Sequence, residues 1–129
     1  MNKTMMLVTE QEVTELKEFI LQLNTTTKNV PVIVEGKRDS KALRNLGYSG
    51  QILEFHRFGG MAKFVDFVSR YKRIIILFDN DRKGKQLTRK SIELLQRRTK
   101  VDLHYKRKLC KITKNKVRFI EQLVCYEFF

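Results

Sequence analysis

The sequence predicts an α/β domain built on a compact, mainly parallel four-stranded sheet flanked by helices. Segments with helical spacing alternate with short β-branched or apolar runs along the chain, in the order α-β-α-β-α-β-α-β-α. The run Ile74-Ile75-Ile76-Leu77-Phe78 contains no polar residue, the mark of a strand covered on both faces, as parallel strands are. With 129 residues and 42% hydrophobic content, the chain suits one modest core.

The elements follow in order. Thr9-Glu10-Gln11-Glu12 has the form of a capping box. Val13, Leu16, Phe19, Ile20 and Leu23 recur behind it at helical spacing, so a first helix is expected over about 9–24. The Thr-rich stretch Asn24 to Asn29 reads as a loop. Val30 to Val34 is the first strand, and Glu35-Gly36-Lys37-Arg38 the loop after it. Asp39 is placed to N-cap a short helix that runs to Leu46 and closes at Gly47. Gln51 to His56 reads as the second strand. Gly59-Gly60 breaks the chain, and Ala62 to Tyr71 returns to helical periodicity through Phe64, Val65, Phe67 and Val68. Ile74 to Phe78 is the third strand, Asp79 to Gly84 a polar loop, and a helix then runs to about Arg98. Val101 to His104 is the fourth strand, and Lys106 to Phe129 is expected to be helical. The chain thus divides into an N-terminal helix, a core over about 29–104 and a basic helical extension over about 105–129, all one domain.

The charge is lopsided. The net charge is +13 at pH 7, and between Arg82 and Arg118 fifteen Lys or Arg face only two acids, Glu93 and Asp102. Such an excess attracts polyanions, nucleic acid first and an acidic membrane surface second. Cys110 and Cys125 have neither zinc-site spacing nor the density of a disulfide framework, and both are expected as free buried thiols. Met5 to Val8 is too short for a signal-peptide core, and no stretch approaches the roughly 20 apolar residues of a membrane span. A cytoplasmic protein is expected.

The acids carry the chemistry. In α/β sheets, ligands bind outside the carboxyl ends of the strands. Glu35 and Asp79 each come directly after a strand. In Asp79-Asn80-Asp81 the two carboxylates stand at i and i+2, so an extended segment points both the same way, toward one hard cation. Mg²⁺ suits such a site, because it takes oxygen ligands from one or two carboxylates and keeps positions for substrate phosphates. Glu35 supplies a third carboxylate, either to the cation or, partly protonated, as a general acid or base. The plainer reading makes Glu35 and Asp79 helix caps or surface charges. Gly84 would let the chain turn tightly into the next helix.

Val32-Ile33-Val34-Glu35-Gly36-Lys37-Arg38-Asp39, followed by Ala42, resembles the first signature of Toprim domains, an apolar strand ending in Glu-Gly-Lys-x-Asp. Ile75-Ile76-Leu77-Phe78-Asp79-Asn80-Asp81-Arg82-Lys83-Gly84 resembles the second, an apolar strand ending in Asp-x-Asp-x-x-Gly. The resemblance covers about Asn29 to His104. Its form is closest to the primase and ribosomal RNA maturase branch, and its length to small stand-alone archaeal Toprim proteins. It implies the Rossmann-like Toprim fold, with Mg²⁺, or Mn²⁺ in its place, held at Glu35, Asp79 and Asp81. It also implies that Glu35 serves as general acid or base where the domain is catalytic.

Two functions follow. The first is Mg²⁺-dependent cleavage of RNA or DNA phosphodiesters, as a nuclease, RNA-processing or repair factor. Lys37, Arg38, Arg82, Lys83 and Lys85 flank the acids and would hold phosphate. The second is a non-catalytic nucleic-acid-binding module that docks on a replication, repair or RNA-processing complex. Topoisomerase chemistry lacks a partner domain with a nucleophilic tyrosine; Tyr48, Tyr71, Tyr105 and Tyr126 carry no such motif. Primer synthesis lacks accessory parts. Haloacid-dehalogenase phosphatases share the Asp-x-Asp but continue with Gly-Thr, where this chain has Arg82-Lys83-Gly84. No phosphate-binding GxxxxGK[ST] loop is present. His56 and His104 have no metal-ligand spacing, and Phe55, Phe58, Phe64 and Phe67 read as core.

Overall fold

The computed structural model describes residues 8–26, 29–117 and 119–126. Four short parallel strands form its sheet: β1 (Val32–Val34), β2 (Ile52–Glu54), β3 (Arg73–Ile76) and β4 (Lys100–Asp102), in the order β2-β1-β3-β4. Val32 stands opposite Ile52 on one side and Ile75 on the other, so β1 and β3 are the central pair. Among the described residues five α-helices surround them: α1 (Glu10–Thr26), α2 (Lys37–Asn45), α3 (Met61–Val68), α4 (Arg82–Leu95) and α5 (His104–Ile112).

Strand alternation sorts the apolar residues into two cores. Val32, Val34, Ile75 and Leu77 face α1 and α5, where they meet Leu16, Phe19, Leu23 and Leu109. Ile33, Ile74, Ile76 and Phe78 face the other way, toward Phe55, Phe64, Val68 and Leu95 of the α3 and α4 side. Residues 74–78 are at most 1% exposed, which is why this stretch carries no polar residue. Phe55 and Phe64 pack edge to face with centroids 5.2 Å apart, and Phe58 and Phe67 lie against this cluster, so all four phenylalanines serve the core.

The capping box opens α1: the Glu12 N–H donates to Thr9 Oγ1 at 3.1 Å, and the Thr9 N–H to Glu12 Oε1 at 3.4 Å. The helix continues to Thr26, past the expected end at Asn24. Asp39 is not the N-cap of α2. That helix starts at Lys37 behind Gly36, and Asp39, one turn in, reaches back to accept the Gly36 N–H at 3.0 Å. The second strand is shorter than expected, because the chain turns at Phe55–Phe58 into a 3₁₀ turn that buries Phe55. The end of the chain is not one helix. After α5 it turns at Lys114 and Asn115, both with positive φ, then enters a second 3₁₀ segment, Ile120–Tyr126. Cys110 is free and only half-buried rather than buried. The Cys125 side chain and the terminal Phe128-Phe129 lie outside what is described, as do Met5 to Leu7. No helix among the described residues is long and apolar enough to cross a membrane.

Candidate metal centre

The strand order places the site. The connection from β1 to β2 goes one way along the sheet and the connection to β3 returns past β1, so the carboxyl ends of β1 and β3 open at a topological switch point. The Leu77 N–H donates to the Ile33 carbonyl at 2.8 Å, which carries the pairing to the strand ends. Two residues on, the Asp79 N–H donates to Glu35 Oε2 at 2.8 Å. Glu35, 7% exposed, and Asp79 therefore meet although they are far apart in sequence.

The other carboxylates gather around this contact. Asp81 is the N-cap of α4, and its Oδ1 accepts the Gly84 N–H at 2.7 Å. Asp39 approaches from α2 with its carboxylate on the Gly36 N–H. The 3₁₀ segment closes one side: the Ile120 N–H donates to Asp79 Oδ1 at 2.8 Å. Burial, then the charges of Glu35 and Asp81, push Asp79 up to about 6, against the pull of the Ile120 N–H. Asp39 is also pushed up to about 6, first by burial and then by the Asp79 charge, while the Gly36 N–H pulls it down.

Crowded carboxylates whose charged forms are disfavoured are the condition that a bound cation relieves, and their hard oxygens suit Mg²⁺. Among the described residues, no three His, Cys, Asp or Glu side chains already stand in an arrangement that could hold a metal ion. The cause is local. Glu35, Asp79 and Asp81 each give an oxygen to a backbone N–H, and Asp81 is turned into its helix cap. The donor set fits Mg²⁺ in kind.

Gly84 is needed for close approach rather than for a turn. It lies inside α4, and a Cβ there would stand 1.9 Å from the Asp79 carbonyl oxygen. The cations named from sequence split into two groups. Lys37 and Arg38 are exposed at the start of α2, with Arg38 Nη1 3.8 Å from Glu121 Oε2. Arg82, Lys83 and Lys85 are exposed on the first turn of α4, beside Asp81. His56 sits exposed in the 3₁₀ turn, where its N–H donates to the Glu35 carbonyl and its ring lies against Gly36.

Lys106 was missed in sequence. It reaches from α5 under the strand ends and donates to the carbonyls of Phe78 at 2.7 Å and Asp79 at 3.2 Å. Burial lowers its pKa, while Cys110, Asp79 and Glu35 pull it the other way. In sequence it is one of three consecutive cations, Lys106-Arg107-Lys108, and nothing there sets it apart.

Comparison with known proteins decides the family, since the Toprim domain matches residues 30–121. The chain belongs to the Toprim family. Toprim membership carries a nucleic-acid-related, metal-binding role, and Toprim domains generally bind Mg²⁺. The chain is 37% identical over 115 residues to a UPF0292 protein of Thermococcus sibiricus, covering 88% of this chain and 83% of that one. It is 39% identical over 93 residues to a UPF0292 protein of Thermococcus gammatolerans, covering 71% and 69% of the two chains. A solved structure of an Aquifex aeolicus protein superposes with a TM-score of 0.67 at 29% identity, over 82% of this chain and 95% of that one. The parallel four-stranded sheet flanked by helices is thus the Toprim fold.

Proposed function

We propose that this Toprim protein cleaves nucleic-acid phosphodiesters with the help of Mg²⁺ held at Glu35, Asp79 and Asp81. The observation that supports it is the Glu35–Asp79 contact at the switch point, where the Asp79 N–H meets the buried Glu35 carboxylate and burial with the Glu35 charge raises the half-buried Asp79. Mg²⁺, when bound, supplies Lewis-acid polarisation of a phosphate oxygen and orients water. The chain's own residues do the rest. Glu35 stands beside the backbone of Asp79, where it can complete the metal's ligands or exchange a proton with the attacking water. Arg82, Lys83 and Lys85 hold substrate phosphate on one side of the acids, and Lys37 and Arg38 on the other. Lys106 fixes the carbonyls of Phe78 and Asp79, and so the direction of the Asp79 backbone.

A second reading has its own observation. The Ile120 N–H already occupies one oxygen of Asp79, which favours a metal-bridged binding module without turnover. Labelled RNA and DNA panels, incubated with Mg²⁺ or Mn²⁺, separate the two. Cleavage is expected from the native chain and lost in Glu35→Gln and in Asp79→Asn/Asp81→Asn. Binding without cleavage on every panel would overturn the nuclease reading and leave the module.

A further inference from the structure

A groove of about 780 Å³ runs between α4 and α5, starting at Asn80 in the middle of the Asp-x-Asp. Its walls are two helix faces. Lys85, Thr88, Arg89 and Ile92 recur at helical spacing on α4, and Lys106, Arg107, Cys110 and Lys111 do so on α5. Two helices meeting this way would ordinarily bury apolar residues against each other. Here the facing positions carry five cations and no acid. None of Lys85, Arg89, Arg107 or Lys111 is paired with an acid among the described residues. By contrast Arg73 and Lys116, elsewhere on the chain, are neutralised by Asp102 and Glu12. Unneutralised like charges facing one another across a cleft repel, and an anion lying between them removes the repulsion.

We infer that this groove binds a single strand of nucleic acid by its phosphates and delivers it to the carboxylates. The inference rests on the reading that the Toprim site acts on nucleic acid, and it adds the strandedness and the path. Size selects one strand. The volume lies within the range of about 300–1,000 Å³ typical of small-molecule sites, so one backbone can enter between the helices while a duplex could only rest on the open rim. From Lys85 to Ile92 the groove follows α4 for about 10 Å. Among the described residues no aromatic side chain lines it, so the contacts it offers are to phosphates rather than to stacked bases. The end at Asn80, with Lys106 bridging from the groove to the Asp79 carbonyl, puts the strand's next phosphate beside Asp79.

The test is equilibrium binding of labelled single-stranded and duplex oligonucleotides to the full chain, with chelator present so that nothing is cleaved. The triple variant Arg89→Gln/Arg107→Gln/Lys111→Gln is compared with the triple variant Lys17→Gln/Lys41→Gln/Lys63→Gln. All six positions are exposed, so both should fold. The groove variant is expected to bind the single strand about tenfold more weakly or worse, with the slope of log affinity against log salt reduced by about 2 (about 0.7 per phosphate contact). The control variant should lose far less. Equal losses in the two variants would overturn the groove while leaving nucleic-acid binding intact. So would a native preference for duplex, or equal competition by polyglutamate, which would mark an acidic-protein site. No binding to any polynucleotide would overturn both the groove and the nucleic-acid reading beneath it.

Discussion

At the scale of the residue, the site is made of positions chosen against stability. Asp39 has its carboxyl pushed up to about 6 by burial and by Asp79. The sign follows from linkage: an acid with a raised folded-state pKa holds its proton more tightly when folded, so stability falls as pH rises from about 4 to about 6. Asp39→Asn keeps an oxygen for the Gly36 N–H and removes the charge. It should stabilise the protein by about 1–2 kcal/mol above neutrality and leave it unchanged near pH 4, as read by denaturant unfolding at both pH values. A loss at both would mean that the carboxylate is worth more as a hydrogen-bond acceptor than it costs as a charge. Gly84→Ala is the converse case. Its methyl group would collide with the Asp79 carbonyl, so about 2 kcal/mol or more should be lost, together with any Mg²⁺-induced rise in Tm. Glu35 and Asp79 stood out in sequence because each follows an apolar strand, and Asp81 because it stands two residues beyond Asp79. Lys106 and the Ile120 N–H were not. One is a lysine among lysines, and the other is a backbone group that any residue could supply.

At the scale of the element, legibility tracked how strongly each segment declares itself. The α1 capping box and the run from Ile74 to Phe78 are local signals with one physical meaning each, and the structure follows them in kind, though β3 runs from Arg73 to Ile76 and Leu77 and Phe78 are buried beyond its end. Boundaries drifted where tertiary contacts overrode local pattern. Phe55 leaves the strand to enter the phenylalanine cluster, and the chain breaks after Ile112 because Lys114 and Asn115 turn with positive φ. That turn brings Lys116 Nζ within 2.7 Å of Glu12 Oε1 and Lys114 Nζ within 3.9 Å of Oε2, stapling the start of α1 to the segment that leads to the site. Glu12 is 1% exposed, so its charge depends on this staple. Glu12→Gln should cost about 1–3 kcal/mol, less than a fully buried pair because Lys116 is partly solvated. Amide exchange should rise over 113–126 as well as at the N-terminus of α1. Exchange confined to α1 would show that the two ends are energetically separate.

At the scale of the whole molecule, two sets of carboxylates pull the pH dependence in opposite directions. Glu12, Glu54 and Asp102 end below their ordinary range. Burial raises Glu12 and Asp102, but Lys116 and Arg73 more than offset it, and Ser40 and Arg57 lower Glu54. Their contribution is present above the unfolded values of about 4 and is lost as pH falls below them, where the net charge, already +13 at pH 7, grows further. Asp39 and Asp79 act the other way, and stability falls as pH climbs through about 4 to 6. The profile in chelator should therefore peak near pH 4–5 rather than at neutrality. Mg²⁺ should change its shape, because an ion that binds only the folded, deprotonated cluster stabilises at high pH and not at low. A thermal melt series across pH, with and without Mg²⁺, reads both effects. The expected result is a rise in Tm with Mg²⁺ above about pH 6 that vanishes near pH 4 and is absent at every pH in Asp79→Asn/Asp81→Asn. A uniform shift at all pH values would place the ion elsewhere on the chain. Stability that climbs steadily to neutrality in chelator would mean that the clustered acids at the strand ends carry no stored repulsion for a metal to relieve.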